Sequence, residues 1–218
     1  MSGKKRVNKS NGADSINIRE SVTMTVKSGH LIKSNKERCK GILQKEPEER
    51  SRNDFIDFFV SLHIVLELSL NDFFREVVKD KFEPLSHNGT YSGVNVFDNV
   101  DFLSKTVMFI FFSPISLDAK EIKEEYKVDK IRKKINDFNG IRNKILHGHV
   151  VEQRSKDSKL EDSSLWAELN NKKMEGQIKN FKDIIDGISF YFDHVNYFPN
   201  KKKEKIKNEY LNYDFLDE

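Results

Sequence analysis

The stretch FIDFFVSLHIVLELSLNDFFREVV, residues 55–78, decides the fold. Phe55, Phe59, Leu62, Leu66, Phe73 and Val77 recur at steps of three, four and seven, and Phe58, Val65, Leu70 and Phe74 widen the same stripe. Successive residues of an α-helix turn by about 100°, so this spacing gathers the large apolar side chains on one broad face. It predicts a long core helix over roughly 52–80, because a strand would need alternation and there is little of it.

Downstream, the polar loop KFEPLSHNGTYSGVN (81–95) is followed by Val100, Leu103, Val107, Ile110 and Phe111. They mark a second helix, apolar nearly all round, which needs two neighbours to cover it. Ser113-Pro114 stops that helix, and Asp118 with Glu121 three residues later reads as a capping box opening a long third one. After Val151 comes the polar segment EQRSKDSKLEDSSLWAELNNKKMEG (152–176), and then Ile178, Phe181, Ile185, Ile188, Phe192 and Val195 form a clean stripe ended by Pro199. Helices with short to medium connections predict an all-α, up-down bundle of four to five helices. Upstream, residues 1–15 read as a disordered polar tail, and 16–45 as a helix with an irregular apolar pattern. Residues 16–198 read as a single helical domain with its core helices within 52–198. Residues 199–218 read as a C-terminal tail or a short helix.

Composition agrees with a globular chain. Only 4 Pro and 10 Gly interrupt 218 residues, and 17 Phe supply a core. The 38 Lys+Arg against 35 Asp+Glu leave a net charge of +3, too little to mark a nucleic-acid binder by itself, so any anion site must be local. One cysteine excludes a disulfide framework and a cysteine-rich zinc site. The start, MSGKKRVNKSNGADS, is basic without an apolar run to follow, and the greasiest run, 107–112, falls far short of the roughly 20 residues a spanning helix needs. A cytoplasmic protein with no membrane segment is expected.

The third helix carries the chemistry, in FNGIRNKILHGHV (138–150). Measured from Ile135, residues Val128, Ile131 and Leu146 fall within about 40°, with Phe138 and Ile145 on one shoulder. Arg142, seven residues past Ile135, lies near the middle of that apolar arc, and so does His149 if the helix continues past Gly148. Asn143 and His147, four apart, share the other shoulder. A guanidinium amid an apolar stripe must find an anion, an interface or a wet cleft, because an unpaired buried charge is expensive. Arginine is a forked, permanently charged donor suited to phosphate, and imidazole exchanges protons near neutral pH. Together they fit a phosphodiester site, in which a cation holds the charge building on phosphorus and another group moves a proton. The structural alternative pairs Arg142 with a core-facing carboxylate such as Glu67 or Asp72.

Arg142-Asn143-Lys144-Ile145-Leu146-His147 resembles the R-x4-6-H motif of the HEPN superfamily, including the polar residue that usually follows the Arg and the Gly that often follows the His, here Gly148. The resemblance covers residues 52–198 through helix order and motif position. It implies a HEPN-like bundle that dimerises so that two motifs face one cleft at the interface. It also implies metal-independent cleavage of single-stranded RNA to 2′,3′-cyclic phosphate and 5′-OH ends, in prokaryotic toxin-antitoxin or anti-phage defence. On that reading Arg142 holds the scissile phosphate, His147 transfers a proton or orients, and Asn143 positions one of them. RNA, a second copy of the chain and an antitoxin or other defence protein are the implied partners, with no cofactor and no metal. A toxin branch of the family carries R-x4-H-x-Y and is silenced at that Tyr, where this chain has His149; that form of control is not expected. His149 also satisfies an R-x6-H spacing, so it shares or replaces the role of His147.

Glu67 and Asn71, polar interruptions of the first core helix, are candidate supporting residues, since sites of this family often take a polar group from a neighbouring helix. His63 reads as a satisfied core or edge histidine. Lys144 and Trp166 are candidate RNA contacts, the first through phosphate and the second through stacking. The run Lys201-Lys202-Lys203 could guide phosphates too. The alternative function is a non-catalytic HEPN-like module that binds a nucleotide or a partner protein.

Overall fold

The computed structural model describes residues 29–82, 100–112, 122–146 and 169–217. Among these there are six α-helices and no strand: α1 (29–43), α2 (Arg52–Phe82), α3 (Phe102–Phe112), α4 (Val128–Leu146), α5 (Asn171–Asp193) and α6 (Asn200–Tyr210). The protein is an all-α bundle. The helix alternative for the C-terminal tail is the one observed, and it adds α6 to the core helices read from the sequence.

Helix α2 is the axis on which the others pack, touching α3, α4, α5 and α6. Its stripe is buried as its spacing requires, with Phe58, Leu62, Val65, Leu66, Leu70, Phe73 and Phe74 all at 0% exposure. Phe73 meets Phe109 of α3 and Phe192 of α5 edge-on, at 5.4 and 5.1 Å between centroids, the geometry that aromatic quadrupoles favour. The helix starts on a reciprocal capping box: Ser51 Oγ accepts from the Asp54 amide at 3.2 Å and an Asp54 carboxylate oxygen accepts from the Ser51 amide at 2.8 Å. Lys45 at 2.6 Å first, and then the Ser51 hydroxyl and amide, both donating to Asp54 Oδ2, pull the Asp54 carboxyl down to about 2. Asp101 caps α3 in the same way through the Ser104 amide at 3.0 Å. Asn170 caps α5 through the Lys173 amide at 2.8 Å.

Two details depart from the sequence reading. Helix α4 opens at Val128, preceded by a 3-10 turn at Glu124–Tyr126 with extended backbone on either side. The expected start at Asp118 and Glu121 lies outside the described residues, and 122–127 are not α-helical. Tertiary contacts fix this break: Tyr191 of α5 donates its hydroxyl to the Tyr126 carbonyl at 2.8 Å, and the Tyr126 ring lies on Phe190 at 5.2 Å. Leu146, placed on the core face by phase alone, is 52% exposed, since it sits beyond the last buried turn of α4. At the other end of the chain, Ile206, Leu211 and Leu216 belong to the same core cluster as Cys39 and the α2 stripe. Burial pushes the Cys39 thiol up to about 12, so it is an inert core group.

Candidate functional site

The buried line of α4 runs Ile131, Ile135, Phe138, at four and then three residues, and the next step of four is Arg142. The apolar stripe therefore ends in a guanidinium, half-buried where the helix leaves the core. Its Nη1 donates to Oδ1 of the exposed Asn143 at 3.1 Å and, among the described residues, to no carboxylate. Asp72, one of the two carboxylates considered as its partner, pairs instead with Arg75 at 3.2 Å.

Across from Arg142, α2 presents one polar residue per turn: His63, Glu67 and Asn71, at i, i+4 and i+8. His63 is 5% exposed and held between two rings, stacked on Phe138 of α4 (5.7 Å, 17°) and edge-on to Phe102 of α3 (5.9 Å, 78°). Its Nε2 lies 3.3 Å from Oε2 of Glu67, while its buried Nδ1 has no hydrogen-bond partner. From α3, the 3% exposed Lys105 donates to Oδ1 of Asn71 at 2.7 Å. The Glu67 carboxyl is held below the usual carboxylate range, first by its hydrogen bond to His63 and then by the positive fields of His63, Arg142 and Lys105, which together outweigh burial. Three helices thus bring two permanent cations, a carboxylate, an amide and an imidazole to one polar seam. Asn139, one turn before Arg142 on α4, adds a buried Oδ1 without a partner.

Of the candidate residues, Arg142, Asn143, Glu67 and Asn71 lie along this seam. His147, His149 and Trp166 lie outside the described residues. Lys144 does not join them: it faces the other way, into the groove between α4 and α5. In the Lys201-Lys202-Lys203 run, Lys203 is buried and donates to the Asp193 carbonyl at 2.6 Å, and Lys202 lies over the Phe198 ring at 4.9 Å. Both are tied to the fold. Sequence reasoning passed over Lys105, although a signal was there: it is the lone charge in FLSKTVMFIFF, and the argument that singled out Arg142 applies to it equally. His63 is core, as read, but not satisfied.

A cation pair beside an ionised carboxylate can hold an oxyanion in place, and the carboxylate or an imidazole can exchange a proton with a bound hydroxyl. Among the described residues no group of three or more His, Cys, Asp or Glu could hold a metal ion, and no helix is long and apolar enough to cross a membrane. Compared with models of protein families, with curated proteins and with solved structures, the chain matches none.

Proposed function

We propose that this protein is a HEPN-type, metal-independent endoribonuclease that cuts single-stranded RNA, working as a homodimer in prokaryotic toxin-antitoxin or anti-phage defence. The observation behind this reading is the half-buried Arg142 at the end of the core line, hydrogen-bonded among the described residues only to Asn143 and facing the Glu67, Asn71, Lys105 and His63 seam. A guanidinium so placed is held ready for an external anion at the cost of packing.

In the proposed reaction Arg142 grips the non-bridging oxygens of the scissile phosphate, in the forked geometry that suits arginine. Asn143 fixes the plane of that guanidinium through their 3.1 Å hydrogen bond. The ribose 2′-oxygen attacks phosphorus as its proton is taken, the bond to the 5′-oxygen breaks, and that oxygen gains a proton, with His147 serving in proton transfer. The products are a 2′,3′-cyclic phosphate and a 5′-OH. DNA, without the 2′-OH, is spared. A second copy and a regulatory defence protein complete the proposed assembly. Purified protein incubated with single-stranded RNA in EDTA is the test. Cleavage with 5′-OH ends is expected, and activity that chelator abolishes and a divalent ion restores would overturn the mechanism.

A further inference from the structure

The proposed reaction gives no task to His63, the imidazole buried in the polar seam. Its ring fits the core as a phenylalanine would: Phe138 of α4 stacks on it at 5.7 Å, and Phe102 of α3 meets it edge-on at 5.9 Å. Neither contact needs nitrogen. An imidazole there brings two polar atoms into a nearly closed site, and its buried Nδ1 finds no hydrogen-bond partner among the described residues. The histidine is therefore held against the preference of its surroundings. What it adds over a phenylalanine is one polar contact, Nε2 to Oε2 of Glu67 at 3.3 Å.

That contact carries the buried ring's influence outward. His63 is 5% exposed and cannot itself touch a bound molecule, whereas the Glu67 side chain, one turn along α2, is 41% exposed and can. The pair also fixes where the proton sits. In the Nε2–H tautomer and in the cation alike, Nε2 donates to the carboxylate; a ring protonated at Nδ1 alone would bury an unpartnered donor and set two lone pairs against each other. A half-exposed glutamate otherwise samples several rotamers, and a directional hydrogen bond from a ring clamped between two aromatics selects among them.

We propose that His63 is a positioning residue: through Nε2–H it ties Oε2 of Glu67, so that the carboxylate's other oxygen takes the proton of the ribose 2′-OH, and it acts on cleavage through Glu67 alone. The inference rests on the ribonuclease reading and names the base which that reading left open. The 2′-oxygen gives its proton to Glu67 and bonds to phosphorus as the bond to the 5′-oxygen breaks, and the 5′-oxygen takes its proton from His147. Arg142 and Lys105 add their positive fields to the hydrogen bond that holds the Glu67 carboxyl low. A phosphate bound at Arg142 counters those fields, so Glu67 becomes a better base once substrate is in place.

Steady-state cleavage of single-stranded RNA in EDTA by the full chain, compared among His63→Phe, His63→Gln, Glu67→Gln and the double variant His63→Phe/Glu67→Gln, tests this. His63→Phe, which keeps a ring between Phe102 and Phe138, should lower kcat by about 10–100-fold with KM little changed, and leave the melting temperature level or higher. His63→Leu, read in the same way, serves if the larger ring crowds its neighbours. His63→Gln, whose amide nitrogen can stand near the place of Nε2, should recover part of the loss. In the double variant the change at His63 should add nothing to the loss from Glu67→Gln, since a group that acts only through Glu67 has nothing left to act on. A further loss there, or full activity in both His63→Phe and His63→Leu, would overturn the proposal. An NMR titration of the Glu67 carboxyl carbon, assigned by its absence in Glu67→Gln, separates this failure from that of the ribonuclease reading. It should move to higher pH in His63→Phe, because the hydrogen bond to His63 is the first cause holding that carboxyl low. A titration that moves in a protein that cuts no RNA would overturn the ribonuclease reading, and Glu67 as its base, while the hold of His63 on Glu67 stands; a titration that does not move would refute the positioning itself.

Discussion

Lys105 and Lys203 are both buried, at 3% and 8% exposure, yet they answer to different needs. Lys203, on α6, donates to the Asp193 carbonyl at the end of α5, where unsatisfied carbonyls and the negative end of the helix dipole welcome a cation. Its neighbours serve the same end: Lys207 pairs with the Asp193 carboxylate at 2.7 Å, and His194 Nδ1 lies 2.8 Å from the Phe190 carbonyl. Lys105 instead reaches across from α3 to a side chain of α2, in a seam where Nδ1 of His63 and Oδ1 of Asn139 are left without partners. A buried charge that satisfies backbone is explained by the fold alone. Buried polar groups that face one another across three helices and still leave orphans are not explained by packing alone, and the proposed phosphate site would give them a use.

The largest effect expected from that contrast is on activity. Arg142→Ala should lower RNA cleavage by about 10²–10³-fold, the usual cost of removing one group that stabilises developing negative charge. Its melting temperature should stay level or rise, since among the described residues no hydrogen-bonded carboxylate is stranded by the change. A melt many degrees lower, with cleavage intact, would make Arg142 a structural residue and erase the difference between seam and corner.

The next largest effect is on stability and separates the two lysines directly. Lys203→Met should cost about 1–3 kcal/mol in urea unfolding, because the Asp193 carbonyl at the end of α5 loses a charged donor. Lys105→Met should cost less than about 1 kcal/mol, because half-buried Asn71 can turn to water, and should lower cleavage. Equal losses of stability with no change in activity would break the comparison.

A smaller effect lies in acid. Glu67 titrates below the ordinary carboxylate range when folded, first through its hydrogen bond to His63. A carboxyl whose folded value is depressed adds stability above its unfolded value, and loses it as pH falls through the folded one. Glu67→Gln should therefore flatten the decline of stability below about pH 4.5, the ordinary value for this group, and leave the curve near neutrality unchanged in slope. Thermal melts from pH 3 to pH 7 would show it, and parallel curves for both proteins would mean that Glu67 is no more stabilised than an exposed carboxylate.

The contrast also explains what was legible in the sequence. The α2 and α5 stripes could be read because helical phase is a local property, repeated over many residues. Arg142 could be read for the same reason, as the polar residue at an apolar phase, and so could Glu67 and Asn71 as interruptions of α2. What phase does not encode is which helix lies opposite. The match of Lys105 to Asn71 depends on how α3 lies against α2, and the orphaned Nδ1 of His63 on the rings of Phe102 and Phe138 either side of it. The start of α4 was hidden likewise, since Tyr126 is held by Tyr191 and Phe190 from another helix. Around α6 the lysines disguised the burial of Ile206, Leu211 and Leu216, because only Lys203 among them turns inward to a helix end.

The smallest expected effect concerns the other face of α4. If Gly140 and Gly176 did nothing but span a helix, alanine at either position would be a plain gain: no atom lies within 4 Å of the added Cβ, and the propensity difference is about 1 kcal/mol in favour of alanine. Gly140→Ala and Gly176→Ala should each therefore raise stability by up to about 1 kcal/mol, measured by urea unfolding. Because a methyl group occupies little of the groove between α4 and α5, cleavage at the Arg142 seam should be unaffected by either change. A loss of stability instead would mean that the backbone there departs from the geometry alanine prefers, and the two glycines would then have a conformational reason that packing does not reveal. A gain in stability with cleavage intact would instead show that neither the fold nor the Arg142 seam needs glycine at these two positions.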